Sequence, residues 1–143
     1  MTVHPHVTMI GIGTADLARS VAFYERLGWT RSSASTDAMV FLRLANICIG
    51  LHPREMLADD AGVEPRGEGF KAVTFAHNAR GREEVDAVYR AALEAGAGAV
   101  KAPAETHWGG YSGYFSDPDG NLWEVAHNPF VELNENGLMD LPA

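Results

Sequence analysis

The chain has 143 residues, 46% of them hydrophobic and 21% charged, with a formal net charge of −8. That length supports one domain with its own apolar core. An acidic balance without any Lys/Arg cluster disfavours nucleic acid and anionic membrane as partners.

No apolar run reaches the length of a membrane span, and Cys48, the single cysteine, permits no internal disulfide. The start MTVHPHVTMIG lacks the basic and apolar regions of a signal peptide, so a cytoplasmic location is expected. The expected partners are a small molecule and a second subunit.

In chain order, VTMIGIGT (7–14) alternates and predicts a strand, with Ile10 and Ile12 on one face and Met9, Gly11 and Gly13 on the other. TADLARSVAFYERLGW predicts a helix capped by Thr14 or Asp16, striped by Leu17, Val21 and Tyr24, and stopped by Gly28. Three β-prone runs follow, around 30–34, in AMVFLRL and in NICIGLH. A polar stretch, 53–69, reads as a connector with a turn of helix at REMLADD. The order then repeats: strand KAVTFAHN, helix REEVDAVYRAALEAG and strand GAVKAPAE. A final hairpin of YSGYFS and LWEVAH closes around DPDGN, where Pro118 and Gly120 supply the turn. FYERLGWTR in the first half is answered by VYRAALEAGAGAV in the second. A βαβββ unit used twice is therefore predicted, and each sheet would bury one face under its own helix.

The helix TADLARSVAFYERLGW and the hairpin GYFSDPDGNLWEVAHNP resemble the vicinal oxygen chelate superfamily, the glyoxalase/bleomycin-resistance/dioxygenase proteins. The resemblance implies an α+β fold: two βαβββ modules forming an incomplete barrel around a central cavity. Within a single glyoxalase-like domain (1–143), module one spans about 7–52, the connector 53–69, module two about 70–128 and a C-terminal extension 129–143. The superfamily includes isomerases, dioxygenases, transferases and metal-free drug binders, so the hairpin alone selects no activity.

Metal-using members of that family carry one ligand on the first and last strand of each module. Matched motif by motif, the last position falls on Glu124 and the others on Met9, Gly50 and Thr74. A thioether, a hydrogen and a hydroxyl do not replace imidazole or carboxylate. The resemblance therefore implies a member poor in metal ligands, with no cofactor expected. Glu124 is then a carboxylate held by hydrogen bonds from neighbours such as Ser112, Tyr114 or Thr74, and a candidate general acid or base.

Strand alternation places Cys48 and His52 on the same face as Gly50. For Cys48 a small buried thiol is the plainer reading. His52 is either a shifted ligand paired with Glu124 or, the plainer reading, a cap on the strand end. His77 and His127 read as hydrogen-bonded core histidines, and His4 and His6 fall in the N-terminal tail. The loop THWGGYSGY combines His107 and Trp108 with a glycine pair and two tyrosines, as small-molecule cavities do. A structural loop with its rings packed inward explains the same residues equally well.

The leading expectation is a protein that binds a small organic molecule in the barrel cavity without a metal. Glu124 is its candidate catalytic residue, and Met9, Cys48, His52, Thr74, His107, Trp108, Ser112 and Tyr114 are its candidate ligand contacts. The alternative is a metal-dependent lyase or dioxygenase using Glu124, His52, an N-terminal histidine and one divalent metal. A third reading is a sequestering protein without turnover. A homodimer is expected, because open sheet edges invite pairing.

Overall fold

The strand predicted at the start of the chain is β1 (Met9–Thr14), with Ile12 and Thr14 buried. The structure, a computed structural model, describes residue 5 and residues 7–142. After β1 the backbone turns into α1 (Leu17–Arg26). Asp16 is its N-cap, and its carboxylate accepts the Arg19 amide at 3.0 Å, satisfying one of the free donors of the first turn.

The buried face of α1, namely Ser20, Val21, Phe23 and Tyr24, packs on a sheet completed by β2 (Thr30–Arg31), β3 (Val40–Arg43) and β4 (Cys48–Pro53). The strand order is β1-β4-β3-β2, with β1 and β4 parallel and the other pairs antiparallel. Register places Ile10 beside Ile49 and Leu42, and Ile12 beside Leu51 and Val40, so one face is aliphatic throughout. Fully buried side chains of this kind contribute about 1.5–3 kcal/mol each. The strand expected around 30–34 is reduced to two residues, because Ser32 and Ser35 turn the chain through hydrogen bonds to Phe41 and its neighbours.

Residues 53–69 hold more structure than the expected connector. They carry α2 (Arg54–Ala61), closed by Gly62 in the left-handed conformation (φ 69°). This helix packs on β1 and β4 from the side opposite α1, setting Leu57 over Gly11 and Arg54 over Gly13.

The second half repeats the topology. β5 (Thr74–Asn78), α3 (Arg82–Ala95), β6 (Gly98–Glu105), β7 (Tyr111–Ser116) and β8 (Leu122–His127) form a sheet of order β5-β8-β7-β6. The position in each half is the same: first strand parallel to last, helix between first and second. Val85, Tyr89, Ala92 and Ala95 of α3 are buried, as are Phe115, Trp123 and Val125 of the sheet. Trp123 packs between Phe75 (4.9 Å between centroids) and Phe115 (6.4 Å).

The β7–β8 turn is organised by Asp117, which is buried. One carboxylate oxygen accepts the amides of Asp119 and Asn121 at 2.9 and 2.8 Å, and the other accepts the Asn121 side chain at 2.7 Å. Gly120 completes the turn at φ 79°.

The extension after residue 128 forms a small hairpin, β9 (Glu132–Leu133) with β10 (Met139–Asp140). The Arg80 guanidinium ties it down by donating to the carbonyls of Leu133, Asn134 and Glu135.

The chain thus has an α+β architecture of two βαβββ modules, each an open four-stranded sheet rather than a closed barrel. It divides into two compact units, Met1–Gly67 and Glu68–Ala143.

Candidate functional site

In the second unit, side-chain alternation separates two faces. Phe115, Trp123 and Val125 point toward α3, whereas Ser112, Tyr114 and Glu124 point away from it. Tyr114 and Glu124 are direct cross-strand partners, and Ala76 of β5 flanks Glu124 on its other side. Both members of the pair are half-buried and Ser112 is buried, whereas Thr74 and Ala76 are exposed.

Burial, then the charge of Glu124, then a hydrogen bond to its carboxylate raise the Tyr114 phenol above its ordinary value of 10.0. The phenol therefore stays protonated at neutral pH and presents a donor to the carboxylate. A carboxylate beside a neutral phenol on a half-buried face accepts protons or hydrogen bonds and attracts cations.

Of the expected loop residues, His107 and Trp108 are exposed in the β6–β7 connection. The indole of Trp108 lies directly on Gly110, where any Cβ would collide with it. Tyr111 serves structure: its hydroxyl donates to Asp86 at 2.9 Å and Arg82 stacks on its ring. The Asp86 bond, burial and the Asp86 charge raise the Tyr111 pKa, with Arg82 opposing them.

The remaining candidates gather in the first unit. Met9 and Cys48 are register partners, as are Gly11 and Gly50, and Gly13 and His52. Met9 Sδ, His52 Nε2 and Met39 Cε each lie 3.2 Å from where a Cβ on Gly50 would stand. Met39 was not among the expected contacts; its place just before β3, on the strand that crosses Gly50, is the signal that marks it. His52 Nε2 is buried and finds no hydrogen-bond partner among the described residues, so the expectation that His52 caps a strand end does not hold for this atom. Cys48 also borders an open groove of about 720 Å³ lined by Val7, Thr8, Arg43, Leu44, Asn46 and Ile47.

Two histidines behave differently from one another. His127 meets the expectation, with Nδ1 3.3 Å from the Ala79 carbonyl. His77 does not: it is exposed, because α3 packs chiefly on β6, β7 and β8 and leaves the β5 edge uncovered. His4 and His6 lie outside the described residues.

The sequence profile of the Glyoxalase/Bleomycin resistance protein/Dioxygenase superfamily matches residues 5–125. The chain belongs to this superfamily.

The fold of the superfamily is evident in solved structures. A glyoxalase-related enzyme from Fulvimarina pelagi superposes with a TM-score of 0.87 at 28% identity, over 98% of this chain and 100% of that one. A glyoxalase/bleomycin resistance protein/dioxygenase family enzyme from Burkholderia phytofirmans PsJN gives 0.70 at 26%, over 84% and 96%. The lactoylglutathione lyase from Agrobacterium tumefaciens, at 22% identity and a TM-score of 0.67 over 90% and 97%, shares the fold. No curated protein matches the chain.

Of the positions expected from the resemblance to carry metal ligands, Met9 and Gly50 fall in the first unit and Thr74 and Glu124 in the second. One carboxylate, one hydroxyl, one thioether and one missing side chain do not fit a hard divalent ion. Among the described residues no group of three or more His, Cys, Asp or Glu side chains gathers in ligating geometry. Among the described residues, too, no helix is long and apolar enough to cross a membrane.

Proposed function

We propose that this glyoxalase-superfamily protein binds a small organic molecule on the Glu124 face of its second unit, without a divalent metal. The observation that carries this reading is the Tyr114–Glu124 pair. It joins a carboxylate to a phenol held in its protonated form, on the side of the sheet away from α3.

Such a pair suits a ligand that offers a cation or a hydrogen-bond donor. Glu124 accepts it, Tyr114 orients the carboxylate, and Ser112 and Thr74 add hydroxyls. Where turnover occurs, Glu124 is the acid/base and Tyr114 keeps its proton. His107 and Trp108, in the exposed β6–β7 loop, complete the proposed contacts within this unit. The protein works in the cytoplasm as a homodimer in this reading, consistent with its open sheet edges and its lone cysteine.

A ligand-protection screen by thermal shift, run with chelator present, tests the proposal: a compound that raises Tm is then incubated at length and examined for product. Protection with product indicates an enzyme, and protection without product a sequestering protein. Protection that appears only when a divalent metal is restored contradicts the metal-free reading and favours a metal-dependent lyase or dioxygenase.

A further inference from the structure

We propose that Met9, Met39 and His52 form a site for a soft monovalent cation, Cu(I) or its analogue Ag(I), in the first unit. The floor of the site is Gly50 of β4. A Cβ there would lie 3.2 Å from His52 Nε2, from Met9 Sδ and from Met39 Cε, so the glycine leaves three side-chain ends facing one small volume. Gly11, its neighbour on β1, keeps the floor open toward His52 Nε2 and Leu57, each 3.8 Å from its own Cβ position.

His52 Nε2 is buried with no hydrogen-bond partner among the described residues, and an uncompensated buried polar nitrogen is costly. The other side chains that reach the Gly50 and Gly11 positions are those of Met9, Met39 and Leu57, which offer only weak hydrogen bonds. An imidazole with two thioethers is, however, a good donor set for a soft ion. The Sδ of Met39 stands one bond behind the methyl that faces Gly50, and an unbranched thioether chain turns it inward at little cost.

Hard ions are poorly served, since no cluster of three carboxylate, imidazole or thiol groups forms here or elsewhere among the described residues. Met9 is 41% exposed, which leaves an entry path from solvent. Cys48, beside Met9 in register, is not required: its thiol points to the Ile49 carbonyl at 3.7 Å.

The test is an anaerobic titration of the full chain with Cu(I) against a chromogenic Cu(I) chelator, repeated with Ag(I) by calorimetry. The expected result is one ion per chain, with shifts in the Met9 and Met39 methyl resonances and both sulfur and imidazole scatterers in the copper X-ray absorption spectrum. Met9→Leu and Met39→Leu conserve volume and fold, and each is expected to weaken binding about tenfold or more, as is His52→Ala. Cys48→Ser is expected to bind like the wild type. The proposal is overturned if the chelator keeps all the copper, if the leucine variants bind unchanged, or if Cys48→Ser alone abolishes binding. Equal affinity for Zn(II) would overturn it as well.

Discussion

Tyr114 and Glu124 stand opposite each other across β7 and β8, three residues before and three after the Asp117–Asn121 turn, on the side of the sheet away from α3. The turn therefore sets their register, and a slip of one residue would swap them with the buried row of Phe115 and Trp123.

Because Glu124 is half-buried and meets a phenol, its replacement has asymmetric consequences. Glu124→Gln keeps an acceptor of the same shape and is expected to leave Tm nearly unchanged. Glu124→Leu strands the Tyr114 donor, at a cost of about 1 kcal/mol, toward the low end for a buried unsatisfied group. Urea denaturation of both variants checks this. Equal, large losses would make the charge a structural element and remove Glu124 from the functional site.

The raised Tyr114 pKa gives a pH dependence with a definite sign. A phenol that holds its proton longer in the folded state than in the unfolded one contributes stability that is complete below the unfolded value of about 10. That contribution disappears as pH rises through the folded value. Absorbance titration of the tyrosinate is expected to show late-ionising phenols from Tyr111 and Tyr114, and Tyr114→Phe should remove one of them. Glu124→Gln should lower the Tyr114 value only partly, because burial, the largest cause, remains. A return to the ordinary value in Glu124→Gln would mean that charge outweighs burial.

Asp117 is the prediction for the turn. Its carboxylate serves two backbone amides and one side-chain amide while buried, so Asp117→Ala should cost about 2–3 kcal/mol. Stability and the Tyr114 titration should change together, since the turn sets the register of Tyr114 against Glu124. Guanidinium unfolding and absorbance titration of the same variant measure both. A stable variant with an unaltered Tyr114 would show that the strands hold their register unaided.

Much of the fold was legible because local signals agreed with one another. GAVKAPAE, YSGYFS and LWEVAH are β6, β7 and β8 with the predicted ends, since alternation and the DPDGN turn point the same way. For α2 the sequence signal is slight, since a proline rather than a polar cap precedes it, and the helix buries only Ala58. The β9–β10 hairpin is held by Arg80, some fifty residues distant in sequence, which no local pattern reveals. Strand alternation sets Ser112 and Tyr114, expected as neighbours of Glu124, on its face of the sheet. It failed for His77, because facing the helix side of a strand ensures burial only where the helix reaches. For Met39 the sequence carries only a weak signal, its place two residues before Phe41, the partner of Gly50.

The most direct test of the central claim measures ligand protection in wild type and Glu124→Gln side by side, in buffer containing a strong chelator. The probes are a panel of organic cations and neutral hydrogen-bond donors, read by the shift in Tm. The account predicts at least one compound that stabilises the wild type without metal and loses most of that effect in Glu124→Gln. Protection that requires an added divalent metal, or that survives unchanged in Glu124→Gln, would contradict it.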